Sequence, residues 1–132
     1  MTENSYSQYI RKVCLELDIR GPVNIEFVDD IGSCAGYTLG DTNSVDIVIG
    51  RKLDGVELSE EKMHKSIAHE LVHAKQLLSG ELYKVITNPD HVDGPKFKWV
   101  YKDVDYIDVN YKERPWEIEA YRLQEELYNL CQ

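Results

Sequence analysis

Residues 58–80, with the sequence LSEEKMHKSIAHELVHAKQLLSG, carry the strongest helical pattern in the chain. Ser59 is a typical helix N-cap, two glutamates follow it in the first turn, and Gly80 stands where the helix should end. An apolar stripe recurs at helical spacing and comprises Met63, Ile67, Leu71, Ala74 and Leu78. Ala68 and Val72 extend the apolar character to a second side, so we expect a helix that is covered on more than one face.

The segments before this helix predict a short helix and a small sheet. Residues 5–18 repeat apolar side chains at helical spacing and end at an RGP triplet. Residues 23–29 alternate as in a strand, and residues 33–40 and 44–50 are two β-prone runs joined by the turn-forming sequence DTN. We therefore expect an N-terminal helix and a sheet of about three strands, the last of them at residues 44–50.

The segments after the long helix predict a hairpin and a C-terminal helix. Residues 96–111 are rich in aromatic and β-branched residues, which favour a hairpin. Pro115 fits the first position of a helix whose apolar stripe comprises Trp116, Leu123, Leu127 and Leu130. Trp99 and Trp116 are predicted core residues. Because the chain has no repeat and no linker, we expect a single α+β domain over residues 1–132.

Composition excludes several classes of function. The chain has 24 Asp and Glu against 15 Lys and Arg, a formal net charge of -9, so no nucleic-acid partner is expected. The opening residues lack the apolar core of a secretion signal, and no membrane span is indicated, so we expect a cytoplasmic protein. Cys14, Cys34 and Cys131 lie far apart without a C-x-x-C pair, which predicts reduced thiols rather than disulfides or a zinc knuckle.

The long helix also carries a candidate metal site, formed by His69, Glu70 and His73. Residues four apart on a helix share a face, so the two imidazoles are directed at one point in space. Such a pair binds Zn²⁺ as two of three protein ligands and leaves a position for water. Glu70 stands where a carboxylate can take the proton of that water.

The residues alone leave the third ligand open. A third histidine at the metzincin spacing is absent, because Gln76 and Ser79 stand where that spacing has glycine and histidine. Three side chains are candidates, with a carboxylate favoured: His91, Glu117 and Glu119. His64 lies on the same helix but points nearly opposite to the histidine pair by helical rotation, so we expect a solvated or partner-facing side chain.

The HELVH run at residues 69–73, followed by a second helix that opens RPWEIEAY, resembles the gluzincin class of zinc peptidases. The resemblance is to the small single-domain metallopeptidases of phage and bacterial genomes in particular. In that class the third ligand is a glutamate on a later helix, often in the pattern E-x-x-[AS]-D. The resemblance implies Glu117 as the ligand, Ala120 as the small residue and Tyr121 in place of the aspartate. That aspartate commonly orients a zinc histidine, a role that Tyr121 or Glu119 would take here.

The resemblance also implies a fold and a mechanism. It covers residues 44–128 by order of elements and implies a zincin-like α+β fold, in which a twisted sheet packs over the active-site helix. Residues 44–50 would then form an edge strand that pairs with an extended peptide. One Zn²⁺ would activate a water molecule, with Glu70 as the expected general base. The candidates for the donor to the oxyanion are His91, Tyr83, Tyr101, Tyr106 and Tyr111.

Three functions are compatible with these residues. The leading one is a zinc-dependent metallopeptidase that hydrolyses peptide or protein substrates. The alternative is a zinc-binding regulatory or interaction protein of zincin fold without proteolytic turnover. A purely structural zinc site needs four protein ligands, with His91 or Glu119 as the fourth, and it has no use for Glu70.

Overall fold

The computed structural model of the chain describes residues 6–94 and 96–132. Over these residues the chain forms a mixed α+β fold with three α-helices and two small sheets. The helices are α1 (Ser7–Leu17), α2 (Glu60–Leu78) and α3 (Pro115–Leu130). The strands are β1 (Val23–Asp30), β2 (Gly36–Gly40), β3 (Val45–Leu53), β4 (Val56–Glu57), β5 (Leu82–Asn88), β6 (Lys96–Tyr101) and β7 (Val104–Tyr106). A 3₁₀ turn, Tyr111–Glu113, precedes α3.

The first sheet has β3 at its centre, so the expectation that residues 44–50 form an edge strand is wrong. β3 pairs in parallel with β1 and antiparallel with β2, while β4 pairs with the end of β3. The parallel pairing brings together β1 and β3, which are not consecutive in the sequence, and no local sequence pattern encodes this pairing. The predicted hairpin of β2 and β3 is confirmed, with β2 as the edge strand.

Helix α2 begins and ends where the sequence predicts. The Ser59 hydroxyl oxygen accepts the backbone N–H of Lys62 at 3.2 Å, and Gly80 follows the last turn with a φ of 80°. The first sheet, α1 and α3 all contact α2, which confirms that it is covered on more than one face. Its buried apolar residues are Met63, Ile67, Ala68, Leu71, Val72, Ala74 and Leu77. Four polar residues of α2 are also buried: His69, Glu70, His73 and Gln76.

The second sheet is antiparallel, in the order β5, β6, β7. The predicted hairpin in residues 96–111 is confirmed as β6 and β7, joined by Lys102 and Asp103, which both have positive φ. The sequence did not predict β5, whose side chains beyond Leu82 are mostly exposed and do not alternate cleanly. A strand with little burial leaves a weak periodic signal.

Aromatic residues fill the space around α2 and α3. The expectation that His64 is solvated or partner-facing is wrong, because its ring lies 4.4 Å from that of Tyr9 and 5.4 Å from that of Tyr6. Helices α1 and α3 cover this side of α2, and the resulting burial lowers the pKa of His64. Trp116 is confirmed as a core residue, and Trp99 packs against it with ring centroids 5.7 Å apart.

Some smaller expectations are also decided by the structure. Leu130 is 64% exposed, so the apolar stripe of α3 ends at Leu127 and not at Leu130. All three cysteines are free: Cys131 is buried, Cys14 is half-buried and Cys34 is exposed. In the described part of the chain, none of the helices is long and apolar enough to cross a membrane.

Candidate metal centre

Two helices supply the side chains of the candidate metal centre. Helix α2 carries His69 and His73 one turn apart, and the first turn of α3 carries Glu117. Pro115 occupies the first position of α3, where a backbone N–H is not needed, and this sets where the helix begins. Because α3 packs against α2, the carboxylate meets the two imidazoles in the interior. All three residues are buried, with exposures of 6%, 8% and 7%.

The three donor atoms form a compact triangle. Glu117 Oε1 lies 3.0 Å from His69 Nε2 and 3.1 Å from His73 Nε2, and the two nitrogens are 3.2 Å apart. Ligand atoms around a tetrahedral zinc ion, with bonds of about 2.0 to 2.1 Å, lie about 3.3 Å from one another. The triangle therefore fits one face of a tetrahedral zinc site, and nitrogen and carboxylate oxygen are ligands that zinc accepts.

In the metal-free cluster, hydrogen bonds from both imidazoles stabilise the Glu117 carboxylate, which in turn stabilises the charged form of His73. Burial raises the pKa of the Glu117 carboxyl, but hydrogen bonds from His69 and His73 outweigh this effect and hold that pKa at about 2. Burial lowers the pKa of His73, but its hydrogen bond to Glu117 and the charge of that carboxylate outweigh it and raise the pKa. Without a metal, the buried carboxylate therefore favours the protonated form of the His73 ring.

Each imidazole is held at its other nitrogen by an amide that the sequence did not single out. Gln124 Oε1 lies 2.8 Å from His69 Nδ1, and Gln76 Oε1 lies 2.8 Å from His73 Nδ1. Tyr121, which the resemblance offered for this role, instead places its ring against that of His69, with centroids 4.5 Å apart. Metal-binding histidines are commonly fixed by such contacts at the second nitrogen.

Glu70 lies beside the triangle and is held by strand β2. Its Oε1 accepts a hydrogen bond from the Thr38 hydroxyl at 2.7 Å, and the residue is 7% exposed. Strand and helix approach closely here, since a Cβ on Gly36 would lie 3.2 Å from Glu70 Cγ and 3.0 Å from the Val48 carbonyl oxygen. Because Gly36 has no side chain, β2 can pack closely against α2 beside Glu70.

A cleft of about 490 Å³ opens onto His69 and Glu70. Residues 33–36, which lead into β2, form one wall, and Tyr111 and Tyr121 form part of another. Among the candidate metal ligands, His69 thus borders a space that a substrate or a water molecule can enter.

The other predicted site residues lie in different places. Glu119 is not at the triangle; its carboxylate accepts from the Gln76 side chain at 2.9 Å and faces Lys102 at 3.5 Å. His91 lies in the loop between β5 and β6, where its Nδ1 accepts the backbone N–H of Asp93. The rings of Tyr101 and Tyr106 pack against Trp116, and Tyr83 lines a separate cleft.

Tyr111 is the one candidate oxyanion donor that the structure brings to the site. Its ring borders the cleft, and its hydroxyl oxygen lies 3.4 Å from that of Tyr121. Burial raises the pKa of Tyr111, so its hydroxyl keeps its proton at neutral pH.

Comparisons of the chain with protein-family models, with curated proteins and with solved structures find no match.

Proposed function

We propose that this protein is a zinc-dependent metallopeptidase of zincin-like fold, with His69, His73 and Glu117 as zinc ligands and Glu70 as general base. The observation that carries the proposal is the donor triangle of 3.0 to 3.2 Å, buried on its protein side and bordered by a cleft. The order of elements agrees with the gluzincin resemblance: a mixed sheet packs on the HELVH helix, and a later helix supplies the glutamate.

The number of ligands favours a reactive site over a structural one. The candidate cluster found in the described residues has three members, and a structural zinc site uses four. Glu119 is engaged by Gln76 and Lys102, and His91 is engaged in its own loop, so neither of the expected fourth ligands faces the triangle. A three-ligand site leaves one coordination position for water or substrate.

The mechanism assigns a role to each residue at the cleft. A bound Zn²⁺ would lower the pKa of a water molecule and polarise the scissile carbonyl. Glu70 accepts the proton of the attacking water and delivers it to the leaving amine, while the Thr38 hydroxyl holds the carboxylate in place. The Tyr111 hydroxyl is the donor best placed to stabilise the developing oxyanion.

Strand β2 is the element that would bind an extended peptide. Its outer edge is unpaired within residues 6–94 and 96–132, and its two ends border different clefts. The second cleft, of about 380 Å³, has an apolar lining that includes Leu39, Leu77 and Trp99. A peptide that pairs with β2 would pass Glu70 and place apolar side chains in this second cleft.

The test compares wild type with Glu70→Gln on fluorescein-labelled casein and on a random decapeptide mixture read by mass spectrometry. We expect both proteins to bind about one zinc ion and the variant to hydrolyse at least about 100-fold more slowly, because the general base is lost. Glu113→Gln, a change at an exposed glutamate of the 3₁₀ turn, is the matched control and should keep full activity.

Each outcome has a meaning. Equal hydrolysis by wild type and Glu70→Gln would contradict the role of Glu70. Zinc binding by wild type without cleavage of either probe would contradict the peptidase proposal and support the alternative, a zinc-binding interaction protein. Wild type that binds no zinc would contradict both.

A further inference from the structure

Gln76 has a buried side-chain amide that hydrogen-bonds to His73 and to two residues of α3 that flank Glu117. It is 1% exposed and lies on α2 one turn beyond His73. Its Oε1 lies 2.8 Å from His73 Nδ1, and its Nε2 donates to the Trp116 carbonyl at 3.0 Å and to Glu119 Oε1 at 2.9 Å. Both hydrogens of the amide nitrogen are thus used, and the amide oxygen faces the histidine.

The partners of Gln76 fix the direction of its amide. A backbone carbonyl and a carboxylate accept hydrogen bonds and do not donate them, so the Gln76 nitrogen must face Trp116 and Glu119. The oxygen of Gln76 then faces His73 Nδ1, and that ring nitrogen must carry a proton to donate. In a neutral imidazole the lone pair is then on Nε2, the atom that points at the donor triangle.

We propose that Gln76 is a positioning residue for the metal: it holds His73 in the tautomer that presents Nε2, and Glu119 holds Gln76. The inference rests on the zinc site of the proposed function but not on peptide hydrolysis. It also gives Glu119 a role, as the second support behind His73 rather than as a ligand.

The support extends from the metal site to the second sheet. The Glu119 carboxylate lies 3.5 Å from Lys102 Nζ. A continuous series of polar contacts therefore runs from His73 through Gln76 and Glu119 to Lys102, in the turn that follows β6. A purely structural role for Gln76, as a partner of the Trp116 carbonyl, would not require its oxygen to face a ring nitrogen.

The experiment measures zinc affinity by competition with a chelator of known affinity. Gln76→Leu removes the acceptor at similar volume, and we expect zinc to bind about 10- to 100-fold more weakly. Gln76→Glu keeps an acceptor for His73 but brings two carboxylates together at Glu119, and should also bind zinc more weakly. The double variant Gln76→Glu/Glu119→Gln restores the hydrogen bond between positions 76 and 119, because the amide introduced at 119 donates to the carboxylate introduced at 76. The Trp116 carbonyl stays without its donor in both variants, so the double variant should regain part of the affinity that Gln76→Glu loses.

A spectroscopic measurement reports the contact itself. In zinc-loaded protein with ¹⁵N-labelled histidine, we expect a slowly exchanging His73 Nδ1 proton in wild type and in the double variant. This signal should exchange rapidly in Gln76→Leu. A role in packing alone would leave the exchange of that proton unchanged.

The outcomes separate the two proposals. Folded Gln76→Leu that binds zinc within about twofold of wild type would overturn the role of Gln76. If Gln76→Leu does not fold, the test is the comparison of zinc affinity between Gln76→Glu and the double variant. A double variant that binds zinc no better than Gln76→Glu overturns the proposal. Zinc-loaded wild type that cleaves neither casein nor the peptide mixture contradicts only the peptidase function, whereas wild type without zinc overturns both.

Discussion

Glu117→Gln in the metal-free protein is the sharpest test of the electrostatics of the cluster. The carboxylate is buried and lies within 3.1 Å of both imidazole Nε2 atoms. These contacts hold its pKa at about 2, against an ordinary value of 4.5. At about 1.4 kcal/mol per pKa unit, that difference corresponds to about 3.5 kcal/mol of folding free energy. We expect the variant to lose stability of this order at the pH where the cluster is fully charged.

The dependence on pH follows from the directions of two pKa shifts. The pKa of Glu117 is lowered on folding, so its contribution is complete above the unfolded value of 4.5 and is lost as the pH falls towards 2. The pKa of His73 is raised, so its contribution is complete below the unfolded value of 6.5 and is lost as the pH rises through the folded value. The difference between wild type and Glu117→Gln should therefore peak between these two values and shrink on either side.

The assay is urea unfolding of both proteins in the presence of a chelator at about pH 3, about pH 5.5 and about pH 9. Glu113→Gln, at an exposed position, is the control and should unfold like wild type at each pH. The reasoning would be refuted by a difference that is the same at the acidic and the intermediate pH, or by a variant as stable as wild type throughout.

Three further predictions concern the support of Glu70, the contact of strand and helix, and the metal. Thr38→Val should slow hydrolysis about tenfold while Thr38→Ser keeps the rate and both keep zinc affinity, because the hydroxyl only holds Glu70; equal rates would count against this role. Gly36→Ala places a methyl group 3.0 Å from the Val48 carbonyl oxygen and should cost about 1 to 3 kcal/mol in urea unfolding; an unchanged midpoint would show that β2 can move. Zinc at about 100 times its dissociation constant should stabilise wild type by about 3 kcal/mol in thermal unfolding, and Glu117→Ala should show no such gain.

The sequence predicts α2 accurately because the residues that begin, end and pattern this helix all lie within the helix or directly beside it. The cap at Ser59, the glycine at Gly80 and the apolar spacing between them lie within one segment, and each acts on its own neighbours. The same holds for the start of α3 at Pro115. The two histidines one turn apart could therefore be placed on one face before any tertiary contact was known.

Pairing between distant segments was not predictable in this way. The alternation in residues 44–50 indicates a strand, but the same alternation fits an edge or a central position. Its central position depends on the parallel pairing of β3 with β1, and β2 lies between these two strands in the sequence. His64 shows the same limit: helical rotation gave its direction, whereas the tyrosines of α1 and α3 that cover it come from other parts of the chain.

The supporting residues of the site also left no signal in the sequence. A glutamine on a helix is an ordinary surface residue, and nothing in the spacing of Gln76 or Gln124 marks a contact with a histidine. Thr38 is equally ordinary in a β-prone run. These three residues become functional candidates only through the packing of β2 and α3 against α2, which places their side chains beside Glu70 and the two imidazoles.

The choice between Glu117 and Glu119 shows what the packing of α3 adds. Two residues apart on a helix point about 200° from each other, so only one can meet the histidines of α2, and the helical pattern does not say which. The structure directs Glu117 to the two Nε2 atoms and Glu119 to Gln76. Both carboxylates therefore act on His73, one directly and one through the amide between them. Replacing either should weaken zinc binding, but only the loss of Glu117 removes a donor atom from the triangle.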